Sequence, residues 1–246
     1  MGKKRIIILL FLFLVTSIQA QDSIPEAKGY KLNNNFDLAL SFSGEQFSSA
    51  LSWVHLYNVS KNKKFKIGYG LRFTIYSGKD LYYQTAPAEL TSGESGPLVI
   101  FSDTKVENID SVLFPSTQVN LINASINLQY SLSKKVEVGF NIDAIGFSFG
   151  KDQVGKYVAY QSADNGSVQS ASPTSFNLLL VSDNDKGSLN SEFYIRYWFN
   201  KNWGIRAGGT FLFTEYTTDN KLRLENDLWR NKGLLGMVGI SYSPFR

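Results

Sequence analysis

From Phe36 onward the chain alternates. Phe36, Leu38, Leu40 and Phe42 fall on one side of the first segment, and Asp37, Ala39 and Ser41 on the other. A period of two means a β-strand, because successive side chains point to opposite faces. Seven more segments repeat the pattern: Phe47–Ser60, Phe65–Ser77, Thr117–Leu132, Val136–Gly150, Ser188–Phe199, Trp203–Tyr216 and Lys232–Phe245. The polar turns at 61–64, 133–135 and 200–202 are tight. The regions 78–115, 151–187 and 217–231 are longer, and the first two are long enough to be functional or disordered. Tight turns at one end and long loops at the other predict an antiparallel up-and-down arrangement.

One face of these segments is bulky and apolar; Phe65, Ile67, Tyr69, Leu71, Phe73 and Ile75 supply it in the third alone. The other face carries charge. Asp37, Lys66, Arg72, Glu137, Asp143, Glu192, Arg196 and Arg206 all fall there, four acids against four bases. Two architectures fit this alternation. A soluble secreted barrel would turn its apolar face inward. A membrane barrel would turn it to lipid and fill its lumen with the polar side. The second is favoured. The interior of eight strands is just filled by side chains, and this apolar face is too continuous to pack there. The opposite face holds glycines, hydroxyls and large aromatics such as Tyr76, Tyr194 and Trp198 instead of a soluble surface's mix of Lys and Glu. Aromatics on the apolar face also crowd toward strand ends, as interfacial girdles do: Trp53, Tyr57, Tyr130, Tyr197, Phe199, Trp203 and Tyr242. In lipid, Arg72 or Arg196 would cost about 2–4 kcal/mol each, so both are expected inside. The balanced charges predict a lumen plugged by ion pairs, since a buried ion without a partner is costly.

The first twenty residues, MGKKRIIILLFLFLVTSIQA, place Lys3, Lys4 and Arg5 before an apolar run and end on Ala20. That is the layout of a secretory signal peptide, residues 1–20. The run is shorter than the roughly 18 residues of a spanning helix. Residues 21–34 read as a polar periplasmic leader, and 35–246 as the barrel. Removal of residues 1–20 leaves 22 bases against 21 acids, which gives no electrostatic case for nucleic acid. The chain has no Cys, which excludes disulfides, thiol catalysis and a lipidated cysteine.

Segments such as VGFNIDAIGFSFG and SLNSEFYIRYWFN, together with the ending GMVGISYSPFR, give the chain its resemblance to the small eight-stranded outer-membrane barrels of the OmpA-transmembrane-domain, OmpX and OmpW type, and to Bacteroidota barrels. The resemblance covers nearly the whole mature chain but rests on pattern more than on invariant residues. It implies an all-β fold: an eight-stranded antiparallel up-and-down transmembrane β-barrel with short periplasmic turns and long extracellular loops. It implies a monomer in a Gram-negative outer membrane, in contact with outer-membrane lipid and lipopolysaccharide. It also implies a terminal aromatic signal read by the insertion machinery, here Ile240, Tyr242 and Phe245. Pro244 and Arg246 depart from that pattern, and Pro lacks an N–H, so pairing is expected to stop before it.

No residue points to catalysis, a cofactor or a metal. His55 is the sole histidine. Parity puts it on the lipid face, near the periplasmic interface, away from an acid that could hold it as a base. Asp183-Asn184-Asp185-Lys186-Gly187 starts like a calcium loop, but Ser188 stands where the sixth-position Gly belongs and Tyr194 where the Glu belongs. The long loops are the better candidates for contact. They carry Tyr82, Tyr83, Tyr157 and Tyr160, and the apolar runs 98–101 and 178–181 are expected to extend the barrel as hairpins. The preferred reading is a non-enzymatic surface protein whose loops meet an extracellular or periplasmic partner or support the envelope. The alternatives are a narrow conduit for small hydrophobic solutes and, behind it, a lipid-modifying enzyme.

Overall fold

The computed structural model describes residues 33–244. Residues 1–20, expected to be a signal peptide, nearly all of the expected leader and Phe245 lie outside the described residues. Eleven strands form: β1 (Asn33–Ser43), β2 (Gln46–Asn58), β3 (Phe65–Thr85), β4 (Ser111–Ser131), β5 (Val136–Phe149), β6 (Gln153–Val158), β7 (Val168–Pro173), β8 (Phe176–Leu178), β9 (Leu189–Trp198), β10 (Trp203–Thr218) and β11 (Leu228–Tyr242).

Eight of them close a ring. Antiparallel ladders join β1 to β2, β3, β4, β5, β9, β10 and β11 in turn, and β11 returns to β1 through Phe36–Tyr242 and Phe42–Gly236. The expected eight-stranded antiparallel barrel is therefore present. Its outer face is the apolar one. Phe193 and Ile195 are 59% and 53% exposed, whereas Glu192 and Arg196 on the same strand are buried. Around the ring Leu38, Leu51, Leu71, Ile126, Phe140 and Val238 are likewise exposed. So continuous an apolar belt belongs in hydrocarbon.

The strand limits differ from the sequence reading. Asn33 and Asn34, expected in the leader, already pair with Leu56 and His55. β3 and β4 run to 21 residues each, twice the roughly 9–11 of a tilted spanning strand. The loops expected at 78–115 and 217–231 shrink to 86–110 and 219–227. The reason is a parity switch. On β3, Arg72, Thr74 and Tyr76 point inward, yet further along it is Tyr83 and Thr85 that are buried. On β4, Leu121, Val119 and Thr117 give way to Phe114 and Val112. The switch falls at Asp80, whose φ is +50°, and at Pro115 opposite it. The period-two pattern breaks there although the ladder continues.

Above the switch a second, narrower ring forms. The β1–β2 hairpin stops at Gly44 and Glu45, so β3 reaches β11 directly through Thr85–Trp229 and Gln84–Arg230. On the far side β6 and β7 insert between β4 and β10. The ring is now β3, β4, β6, β7, β10 and β11. The hairpins expected from 98–101 and 178–181 are not the ones that extend the barrel; 96–101 is a 3-10 helix, and β6 and β7 do the extending. A bulge at Ala144 lets β5 leave β9 and pair with β8 instead, and the Ala144 carbonyl accepts the Leu179 N–H at 2.8 Å.

An apolar core fills the six-strand section and reaches down past the switch: Tyr83, Val112, Phe114, Tyr157, Tyr216 and Trp229 pack in it above Tyr76, Val119 and Leu121. Tyr83 stands edge-on to Phe114 and Tyr216 at 5.2 and 5.4 Å. Gly155 is required by the tight bore, since a Cβ there would lie 2.6 Å from Val112 and 2.7 Å from Phe114.

The belt and the upper section should respond oppositely to charge. F193R should lower stability in lipid vesicles by about 2–4 kcal/mol. Y160R, at a fully exposed head position, should stay within about 0.5 kcal/mol of the parent. Urea unfolding followed by heat-modified gel mobility reads both.

Candidate functional site

The eight charged residues on the polar face converge in the lumen of the eight-strand section. β1 contributes Asp37, β3 Lys66 and Arg72, β5 Glu137 and Asp143, β9 Glu192 and Arg196, and β10 Arg206. Strand tilt brings them into one file in which the sign alternates. Lys66 meets Glu137 at 3.2 Å, Glu137 meets Arg196 at 3.7 Å, and Arg196 meets Asp37 at 2.8 Å. Asp37 meets Arg206 at 3.7 Å, Arg206 meets Glu192 at 3.1 Å, Glu192 meets Arg72 at 3.8 Å, and Arg72 meets Asp143 at 3.3 Å. Seven of the eight side chains are essentially closed to solvent; Lys66, at the short-turn mouth, retains 12% exposure.

Neutral donors and acceptors fill in between. Arg196 Nη2 donates to both Asp37 oxygens, and its Nη1 donates to Gln129 at 3.0 Å. Trp198 Nε1 donates to Glu137 at 2.7 Å. Asn141 accepts from Arg72 and donates to Glu192 at 3.1 Å. Asp143 accepts from Asn123 at 2.7 Å and from the Asn190 N–H at 3.1 Å. The Tyr194 ring lies 4.9 Å from the guanidinium carbons of both Arg196 and Arg206, which accounts for a large aromatic on the charged face. Buried ions are tolerated only with such partners.

The residues that sequence reasoning missed lie above this file. Glu215 and Arg230 are outward-facing by parity but buried, because segment 174–187 covers them. They pair at 2.6 Å, and Glu215 also accepts the Gly187 N–H at 3.0 Å. Arg223 and Tyr157 both donate to Asp110 Oδ2 at 2.8 Å. Burial, reinforced by the Asp110 carboxylate, pushes the Tyr157 phenol up to about 12, so it stays a donor. The strongest sequence signal for this region was the alternation in KYVAY and in NDLWR, short runs that flanking turn residues obscure.

The loop tyrosines separate into two pairs. Tyr82 and Tyr160 are exposed, whereas Tyr83 and Tyr157 are fully buried in the apolar core and are closed to an outside partner. The Asp183–Gly187 segment ties loops together: Asp183 pairs with Lys232 at 2.5 Å, Asp185 accepts the Leu180 N–H at 2.6 Å, and Asn184 exchanges hydrogen bonds with the Gly96 backbone at 2.9 and 3.1 Å. Burial raises the pKa of Asp185. His55 lies on the outer face. It shares a hydrogen bond with Asn34 at 2.8 Å and packs on Tyr57 and Tyr69 at 4.7 and 5.4 Å. Ile240 is exposed on the belt, and β11 ends at Tyr242.

At the long-loop end a cavity of about 400 Å³ opens over the β3–β11 seam, above the place where the β1–β2 hairpin stops. Tyr82, Gln84, Thr91, Asn231, Lys232 and Asp183 are among its walls.

No family model and no curated protein matches the sequence. Solved structures do. Neisserial surface protein A is 10% identical, with 86% of this chain and 94% of that chain covered at a TM-score of 0.35. Ail, the attachment invasion locus protein of Yersinia pestis, solved with the heparin analogue sucrose octasulfate, is 9% identical over 86% and 95% at 0.33. The Pseudomonas putida toluene transporter TodX is 7% identical over 89% and 90% at 0.24. The fold is that of a small outer-membrane β-barrel. Its own ring of ladders and its belt carry that statement.

The file predicts a graded response to truncation. R72M leaves Asp143 and Glu192 buried without their shared cation and should cost about 3–5 kcal/mol. K66M, at the wetter mouth, should cost clearly less. Urea midpoints in detergent or vesicles compare the two.

Proposed function

We propose that this chain is a non-enzymatic outer-membrane barrel with a closed lumen, which acts through the rigid head that its long-loop end holds outside the cell. One observation carries the reading: two unlike fillings are stacked along the same bore. The ionic file occupies the eight-strand section and the aromatic core occupies the six-strand section. A solute would have to break ion pairs and then displace packed rings. With the axis blocked, the surfaces left for function are at the two ends. The head suits contact, because its loops are pinned to one another through Asn184 and Gly96, and to the strands where Glu215 accepts the Gly187 N–H and Arg230 donates to the Asp185 carbonyl. Rigid loops lose little entropy on binding. Its cavity offers hydroxyl, amide and ion-pair groups beside the exposed Tyr82 ring.

A narrow conduit for hydrophobic solutes would need an apolar path, and the lower half of this lumen is ionic. Catalysis finds no support in His55, which stacks among aromatics on the lipid side.

Two measurements test the proposal. Purified protein in planar bilayers should show no steady conductance, and a stable porin-size current overturns the closed lumen. Because the chain lacks Cys, single cysteines report orientation cleanly. On intact cells Y160C should react with a membrane-impermeant maleimide and K63C only after the outer membrane is opened. The reverse pattern overturns the placement of the head.

A further inference from the structure

The two ends of the barrel differ in charge. Among residues 33–244 acids and bases are equal, nineteen of each. The lumen file uses four of each. The three short turns, 59–64, 132–135 and 199–202, contain Lys61, Lys63, Lys64, Lys134, Lys135 and Lys201 and not one acid. What remains at the long-loop end is therefore fifteen acids against nine bases. The charge is segregated along the barrel axis, although the sum over these residues is zero.

The lysines sit at a defined depth. All six are exposed. Each turn is flanked by belt aromatics at the same end: Tyr57 and Phe65 at the first, Tyr130 at the second, Tyr197, Phe199 and Trp203 at the third. The Trp203 ring also packs on Tyr242 at 4.8 Å. Amphipathic rings of this kind settle at the level of lipid headgroups. Lys63, Lys64 and Lys201 stand one or two residues beyond these rings, which puts their ammonium groups among the phosphates; Lys61, Lys134 and Lys135 stand four or five residues beyond, and their flexible stems can reach back toward the same layer.

We infer that the short-turn rim is a binding surface for anionic phospholipid headgroups, with the six lysines as a ring of phosphate ligands that anchors the barrel in the leaflet on that side. In the orientation proposed above, which this inference adopts, that leaflet is the periplasmic one. Each basic residue near an anionic membrane surface strengthens binding by about fivefold. Six on three adjoining turns act on one rigid body, so their contributions reinforce one another. The acid excess at the other end opposes reversal, because a headgroup layer of the same charge repels it. The turns thus both hold the barrel and distinguish its two ends.

The test uses the full mature chain, folded from urea into vesicles of phosphatidylcholine alone or mixed with phosphatidylglycerol. It compares the parent with the K61Q/K63Q/K64Q/K134Q/K135Q/K201Q variant. The turns point into water, so the variant should fold in phosphatidylcholine as the parent does. Phosphatidylglycerol should raise the parent's folding equilibrium constant by roughly tenfold or more. The gain should vanish in about 1 M salt, where the screening length is about 3 Å. It should also vanish in the variant. An equal gain in parent and variant, or none in either, overturns the inference. So does salt-sensitive retention of the parent on isolated peptidoglycan without any dependence on phosphatidylglycerol. If the sextuple variant fails to fold, K134Q/K135Q alone must lose a measurable part of the gain. This result is independent of bilayer conductance and of cysteine labelling, so a failure here leaves the closed lumen and the orientation to be judged by those measurements.

Discussion

A backbone inside hydrocarbon has no water to pair with, so every N–H and C=O must find a partner in the protein. For strands the solution is a ring without edges, and the rest of this molecule follows from that closure. Eight strands leave an interior just wide enough for side chains. Whatever fills it must be complete, because an unpaired ion or a void there costs several kcal/mol. The alternating file from Lys66 to Asp143 gives each of its eight charges, drawn from five strands, at least one partner of opposite sign, although single atoms such as Arg206 Nε and Nη2 are left without a hydrogen bond. No ion in the file depends on one partner at one end of the bore alone, apart from the two that terminate it.

Above the lipid the constraint changes and so does the solution. Water now lies outside, so an apolar interior becomes favourable. The polarity of the two faces inverts at Asp80 and Pro115, where left-handed backbone and a missing N–H shift both long strands by one residue in phase. The lower section is polar inside and apolar outside. The upper section has an apolar core within and a mixed surface without, where Gln84, Lys156 and Lys232 stand beside exposed Tyr82, Val154 and Val168. The short β1–β2 hairpin makes the narrowing possible, because its ending lets β3 and β11 meet.

The same inversion explains what could be read from the sequence. Within the membrane section, alternation over ten or more residues named the faces correctly, and charge balance pointed to the eight residues that meet in the lumen. Beyond residue 78 the alternation continues in the opposite phase, and a reading by fixed parity ends the strand there. Tyr83 and Tyr157 then pass for loop residues, although both are core. Glu215 and Arg230 were invisible for another reason: their burial depends on segment 174–187, more than 25 residues away along the chain from either. Pairing at that distance leaves no periodic trace. The cavity over the β3–β11 seam is equally a product of the hairpin's length and of two separate loops.

The choice of ions rather than aliphatics for the lower lumen has a further consequence for register. A strand apolar on both faces could slip by one residue against its neighbour with little penalty, since either face would suit lipid or core. Here a slip by one residue on β9 would turn Glu192 and Arg196 outward and bring Phe193 and Ile195 in. Arg196 alone would then cost about 2–4 kcal/mol in lipid. It would also leave Asp37 buried without the guanidinium that donates to both its oxygens. Because the file runs through five strands, an error on any one of them breaks contacts on at least two others. The ion pairs therefore select one register for the whole ring, whatever net energy they add to it, and the apolar belt alone could not do so.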